Sequence, residues 1–172
     1  MLKIAIIGYS GSGKSTLANF LGQHYNCEVL HLDKIHFTSN WQERTVDEMT
    51  DDISKCMLQK DWIIEGNYST CLYEERMREA DCIVYFNFNR FNCLYRAFRR
   101  YLKYKGQTRP SMAENCKEKF DFEFVKWILL DGRSQKNVTK FKVVVEKYPD
   151  KTIVLKNQKQ LDNYMKKVKK LL

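Results

Sequence analysis

Short apolar runs that alternate with helix-patterned segments predict an α/β fold built on a mostly parallel sheet. Two further observations point the same way. Three of the seven glycines fall within six residues (Gly8, Gly11, Gly13), directly after the first apolar run and at the start of the first helical pattern. Two of the apolar runs then end in a carboxylate, at Asp33 and at Glu65. In an open parallel sheet such groups stand at the carboxyl edge of the strands, where the ligand crevice lies.

Strands are predicted over 3–7, 29–32, 62–65, 83–88 and 152–155, each short and apolar enough to be covered by helices on both faces. Between them, 14–23, 44–60 and 68–79 read as helices. Beyond the fourth strand, 91–104 carries Phe91, Leu94, Tyr95, Phe98 and Leu102 at helical spacing, and two more helices are expected over 117–130 and 134–146. The last segment sets Leu161, Tyr164, Met165, Val168 and Leu172 on one face and its lysines outward, the pattern of an amphipathic helix closing the sheet. The polar stretch 104–112, with Gly106 and Pro110, reads as a mobile flap.

The 172 residues suffice for one domain with its own core, so a single domain over 1–172 is expected, with a separate lid region about 90–133. A composition of 44% hydrophobic and 30% charged residues is that of a globular chain and excludes a disordered tail or a fibre. No apolar run approaches the about 18–20 residues that span a bilayer. The apolar stretch at the amino end is too short for a secretory signal and has no cleavage pattern, so a cytoplasmic protein without membrane attachment is expected. Six cysteines, spread without CxxC or Cys/His clustering, read as thiols packed like small hydrophobes. The balance of 30 basic over 21 acidic residues, a net +9, favours polyanionic partners without choosing among nucleic acid, acidic surfaces and phosphorylated small molecules.

Gly8-Tyr9-Ser10-Gly11-Ser12-Gly13-Lys14-Ser15 matches G-x-x-x-x-G-K-[ST] at every fixed position. A di- or triphosphate has to be wrapped by successive backbone N–H groups, and glycines let the chain turn tightly without a Cβ in the way. The positive end of the following helix adds to the same anion site. Lys14 is placed to reach the β- and γ-phosphates, Ser15 to ligate Mg²⁺, and Thr16 to bond the α-phosphate. ATP and Mg²⁺ are therefore the expected ligands.

Either Asp33 or Glu65 can serve Mg²⁺ through water or take a proton from an acceptor hydroxyl. From Arg90 to Arg109 the chain carries seven basic residues and no acid, and Arg96, Arg99, Arg100 and Lys103 share one helical face. Arginine forks suit a transferring phosphoryl group, and a face with no balancing acid suggests a visiting anion.

With these residues in place the chain resembles the P-loop nucleoside-monophosphate-kinase superfamily, which contains the adenylate and shikimate kinases. That resemblance implies a three-layer α/β/α fold with a five-stranded parallel sheet in the order 2-3-1-4-5, and an arginine-bearing helical lid after the fourth strand. It implies lid roles for Arg96 and Arg100, with Arg109 and Arg133 as further candidates, and a substrate-binding role for Asp33. It matches Glu65-Gly66 to an acidic residue followed by glycine, and places Asn157-Gln158-Lys159 where such kinases close around adenine. More closely, the phosphate loop, His31-Leu32-Asp33-Lys34, Trp62-Ile63-Ile64-Glu65-Gly66-Asn67-Tyr68 and Thr108-Arg109-Pro110-Ser111-Met112 look like the bacterial DNA topology modulation (FlaR-type) family. The acceptor-base signatures of nucleoside-monophosphate kinases are missing, which leaves the acceptor open.

The expected activity is transfer of the γ-phosphoryl of ATP·Mg²⁺ to a small acceptor, a nucleotide or nucleoside among the candidates. The alternative is an ATP-binding switch that acts on nucleic acid, although no stacking platform or recognition helix is evident. Oligomeric state is not legible.

Overall fold

The structure is a computed structural model that describes residues 2–170. Five parallel strands, β1 (Lys3–Gly8), β2 (Val29–His31), β3 (Trp62–Glu65), β4 (Cys82–Phe86) and β5 (Thr152–Leu155), form one sheet in the order β2-β3-β1-β4-β5. This is the expected order. β1 lies at the centre, with Ala5 opposite Ile64 of β3 and Ile83 of β4. Ala5, Ile6, Ile7, Ile63, Ile64, Ile83 and Val84 have no exposed surface, as expected of central parallel strands with helices on both faces.

The helices are α1 (Lys14–Tyr25), α2 (Leu32–His36), α3 (Val46–Met57), α4 (Tyr73–Glu79), α5 (Arg90–Tyr104), α6 (Phe122–Leu129), α7 (Gln135–Lys147) and α8 (Gln158–Lys169). Several begin later than the periodicity predicts, and capping accounts for most of the shifts. Thr45 and Glu48 form a reciprocal capping box that starts α3 at Val46, and the Asp121 carboxylate accepts from the Phe124 N–H and starts α6 at Phe122. α4 starts at Tyr73 because the buried Arg76 ties residues 66–72 into a loop: its guanidinium donates to the carbonyls of Gly66 (3.2 Å), Tyr68 (2.7 Å) and Leu72 (3.3 Å). Asn89 caps α5, so β4 ends at Phe86 rather than running to 88. In α8, Leu161 and Val168 are buried as expected, while the Leu172 expectation lies outside the described residues.

α5 falls on the expected helix, and the structure adds which of its faces is buried. Phe91, Tyr95, Phe98 and Leu102 face solvent, with Phe91 67% and Tyr95 61% exposed, and the side turned to the core carries Cys93 and Ala97. Small residues are required there because the helix backbone lies against the glycine loop: a Cβ on Gly11 would stand 2.5 Å from the Cys93 carbonyl. The expected flap is also tied down. Isolated β-bridges join Lys105 to Glu118 and Thr108 to Lys117, and buried Met112, Ala113 and Cys116 form a small cluster with Phe37 and Trp41, apart from the main core. All six cysteines are free thiols, three of them fully buried. Among the described residues no helix is long and apolar enough to cross a membrane.

Candidate functional site

Residues 8–13 join the end of β1 to the start of α1, and the loop is held open by its own geometry. Gly11 and Gly13 have φ of +76° and +102°, a region that costs an L side chain about 1–2 kcal/mol. Gly13 caps α1 without any side-chain hydrogen bond, so the first N–H groups of the helix have no intrahelical partner and point at the loop. The Ser12 hydroxyl is fully buried and has no partner among the described residues, and the Lys14 ammonium folds back onto the Tyr9 carbonyl at 3.3 Å. Asn67 braces the loop from the neighbouring strand: its Oδ1 accepts from the Gly8 N–H (2.9 Å) and its Nδ2 donates to the Gly8 carbonyl (2.7 Å). This cradle of free donors fits the phosphates of a nucleotide.

Glu65, at the end of β3, gathers three partners. Oε2 accepts from the Ser15 hydroxyl at 3.0 Å and from Nδ1–H of His31 at 3.0 Å, and Oε1 lies 3.9 Å from the Lys14 ammonium. The ring of His31 is fixed from its other side by Asn19, 2.8 Å from Nε2. Burial pushes the Glu65 carboxyl up, but the His31 hydrogen bond, the Lys14 charge and the Ser15 hydroxyl outweigh it and hold the group below the usual range. Glu65 is therefore an ionised carboxylate at neutral pH. Ser15 and Glu65 present hard oxygens suited to Mg²⁺, whose remaining ligands have to be phosphate and water.

Asp33, in α2 just past β2, is separate from that group and more open, with 41% of its side chain exposed. Its Oδ1 accepts from the Tyr68 hydroxyl at 3.0 Å, and Arg109 Nη2 lies 3.6 Å from Oδ2. Burial, with Asp33 adding to it, drives the Tyr68 phenol well up, so Tyr68 remains a donor.

The basic stretch is not unbalanced as its sequence suggests. Glu118, 4% exposed at its side chain, joins Arg100 (2.5 Å) and Arg109 (3.3 Å). Arg96 makes no ion pair among the described residues; it bonds the neutral Gln158, and its guanidinium presses against Gly13. Arg133 lies over the Tyr9 ring at 3.7 Å, and its Nε and Nη2 donate to the carbonyls of Ile128 and Phe88, so two of its three nitrogens are engaged by the protein. Asn157 caps α8 through the Gln160 N–H, and the side chain that reaches the cleft is that of its neighbour Gln158.

Two clefts meet at the loop. One, of about 970 Å³, lies over Gly11, Gly13, Ser15 and Thr16 and is bounded by α5 and Gln158. The other, of about 670 Å³, lies on the far side and holds Ser10, Lys14, Asp33 and Glu65, with walls from Tyr68, Trp41, Phe124 and Trp127. Gly11, Arg100 and Arg109 border both. Of the expected residues, Lys14, Ser15 and Glu65 touch one another, Asp33 shares their cleft, and Arg96 and Arg100 stand over the loop. Sequence reasoning missed Glu118 and Arg76, and it singled out Asn67, next to Gly66 at a strand end, without its role as a brace of the glycine loop.

The class of the fold follows from the sheet order and the loop: it is the fold of P-loop small-molecule kinases. The chain is similar to a gluconokinase from Sinorhizobium meliloti (15% identity, 99% of this chain and 93% of that one, TM-score 0.52). It is likewise similar to an uncharacterized protein from Eubacterium ventriosum (15%, 99% and 97%, 0.50) and to a shikimate kinase from Bacteroides thetaiotaomicron (16%, 99% and 97%, 0.49). No family model and no curated protein matches the chain.

Proposed function

We propose that the protein is an ATP-dependent phosphotransferase that moves the γ-phosphoryl of ATP·Mg²⁺ to the hydroxyl of a small acceptor, a nucleotide or nucleoside among the candidates. The observation that carries this reading is the pair of clefts meeting at one glycine loop, with Arg100 and Arg109 bordering both. A donor nucleotide in the α5 cleft and an acceptor beside Asp33 face each other across that junction.

Gly8, Ser10, Gly11, Ser12, Gly13 and Thr16 form the cradle for the donor phosphates, and Lys14 leaves the Tyr9 carbonyl to pair with their outer oxygens. Ser15 and Glu65 would hold Mg²⁺, which would supply charge neutralisation to the donor phosphates. The acceptor oxygen bonds to the γ-phosphorus as the bond to the β–γ bridging oxygen breaks, ADP leaves, and the acceptor proton passes to the Asp33 carboxylate. Asp33 suits that role better than Glu65 because one of its faces is open, whereas Glu65 is enclosed by Ser15, His31 and Lys14. Arg100 and Arg109 then exchange part of their pairing with Glu118 for the charge of the moving phosphoryl group. Residues 90–133 act as the lid over both clefts, with Arg96 above the loop. Arg133 and Asn157 act indirectly, through Tyr9 and through the position of Gln158. A cytoplasmic location and membership of the DNA topology modulation family complete the reading, supported by the residues that carry the resemblance.

The test is ADP release from ATP·Mg²⁺ against a panel of nucleosides, monophosphates and small hydroxy metabolites. Acceptor-stimulated release is expected, falling by about three orders of magnitude in Lys14→Ala. Turnover retained in that variant would remove the site assignment.

One observation favours a second reading, a nucleotide-gated nucleic-acid binder: the outward face of α5 sets Phe91, Tyr95 and Phe98 beside Arg99 and Lys103. Duplex or single-stranded DNA affinity that falls steeply with salt would support it, and weak affinity already at low salt would count against it.

A further inference from the structure

Three sides of α5 are occupied by the rest of the fold. Cys93 and Ala97 lie against Gly11. Arg90 and Tyr101 reach α6 and the segment before it, through the Leu129 carbonyl at 2.8 Å and the Phe120 ring at 5.9 Å. Arg96, Arg99 and Lys103 border the cleft over the glycine loop. The remaining side is a stripe of Phe91, Tyr95, Phe98 and Leu102, between 42% and 67% exposed. At about 3.6 residues per turn these four side chains fall within about 60° of arc, and no charged residue shares it. Their spacing of i, i+4, i+7 and i+11 is that of the seam of a coiled coil. Phe122, 80% exposed, carries the apolar surface on to α6, two residues past Phe120, whose ring packs on that of Phe98 at 5.3 Å. At about 200 Å² for a whole side chain of this size, the exposed part of the five residues comes to about 600 Å². That is the upper end of the largest apolar patch found on a typical monomer.

We propose that this stripe is the interface of a homodimer, in which α5 packs antiparallel against α5 of a second copy of the chain. The inference goes beyond the phosphotransferase reading and does not depend on it. The stripe is complementary to itself. A two-fold axis through its middle, between Tyr95 and Phe98, sets Phe91 against the partner's Leu102 and Tyr95 against the partner's Phe98, so each large side chain meets another. Two patches of this size bury about 1,200 Å² together, above the roughly 1,000 Å² that a specific interface needs. The area is modest, so association in the micromolar range is expected. Charge selects the same occupant. A second copy covers the stripe without taking a charge out of water. A nucleic acid or an anionic membrane needs cations inside the contact, and those of α5 stand to one side, on the wall of the cleft. Because the opposite side of the same helix lies against Gly11, the partner braces α5 on the glycine loop from behind.

The experiment is sedimentation equilibrium of the full chain from about 1 to about 200 µM, a range that brackets a micromolar dissociation constant. A rise to twice the 20.6 kDa of one chain is expected over that range. Tyr95→Glu and Phe98→Lys each place a charge in the seam twice per dimer, and each is expected to weaken association about a hundredfold or more, with unchanged circular dichroism. Mixing the two variants in equal amounts is expected to restore a dimer, because the antiparallel order brings the new glutamate of one chain to the new lysine of the other. That rescue also guards against a variant that has merely lost its fold. A wild-type chain that stays monomeric at about 200 µM, a dimer that survives both substitutions, or a mixture that remains monomeric overturns the proposal. Single-stranded oligonucleotides and vesicles of equal parts phosphatidylcholine and phosphatidylserine are tested alongside. Binding of either by a monomeric wild-type chain, lost in Tyr95→Glu, overturns the dimer and gives the face to a polyanion.

Discussion

Glu65→Gln isolates the charge at the centre of the site while keeping its shape. The amide carbonyl can still accept from Ser15 and His31, so the change removes a negative charge and leaves the packing intact. Two hydrogen bonds drop from charged to neutral strength, a loss of about 1 kcal/mol each. The Lys14 ammonium, 11% exposed at its side chain, loses its carboxylate neighbour at 3.9 Å. Removing one partner of a buried ion pair costs about 3–5 kcal/mol when nothing replaces it; with the amide in place and Lys14 able to turn into the cleft, about 3 kcal/mol is expected in total. For a chain of this length that lowers Tm by about 6–12 °C at pH 7. The pH dependence gives a second check. The carboxyl is held lower in the folded chain than in the unfolded one, so its contribution is fully present above the unfolded value of about 4.3 and is lost as pH falls through the folded value. The stability gap between wild type and Glu65→Gln, measured by urea titration, should therefore close on acidification below about pH 4. A Tm within about 2 °C of wild type at pH 7, or a gap that widens in acid, would refute the account of Glu65 as an ionised hub.

Three further outcomes are expected. Gly11→Ala places a Cβ 2.5 Å from the Cys93 carbonyl at a positive φ, so α5 has to move off the loop; a loss of about 2–4 kcal/mol in chemical denaturation and weakened ATP binding are expected. Met112→Asp buries a charge in the small cluster that anchors the segment after α5, and because that cluster stands apart from the main core, faster proteolysis near Gly106 should appear with little change in global Tm. Burial pushes the Cys56 thiol up to about 11, and it raises the Cys27, Cys82 and Cys93 thiols as well; native protein at pH 7.5 should react slowly with iodoacetamide and rapidly in urea.

Much of the architecture was legible because its signals are local. β3 and β5 fall on their predicted residues, and the glycine loop, with a strand before it and a helix after, stands as the motif requires. Helix ends were less legible where a side chain from another element set them. Arg76 delays α4 by reaching back to Gly66 and Tyr68, and periodicity cannot register a guanidinium that bonds carbonyls eight and ten residues away. α5 stands where its spacing predicts a helix, but the face it turns inward was not legible, for a related reason. Its apolar spacing is genuine, but the face turned inward was chosen by the need for close approach to Gly11, which favours Cys93 and Ala97 over the larger Phe91 and Phe98.

What the sequence by itself determined is the chemistry of contiguous residues: a phosphate-binding turn, carboxylates at two strand ends, and a basic helix after the fourth strand. Only the tertiary structure decided how those groups are shared out. It joined Ser15 to Glu65 across fifty residues, brought Glu118 to Arg100 and Arg109, and set the Asn67 amide against the backbone of Gly8. The physical reason is that a charge acts on whatever lies within a few ångströms in space, and the distances that decide its role are set by packing rather than by order along the chain.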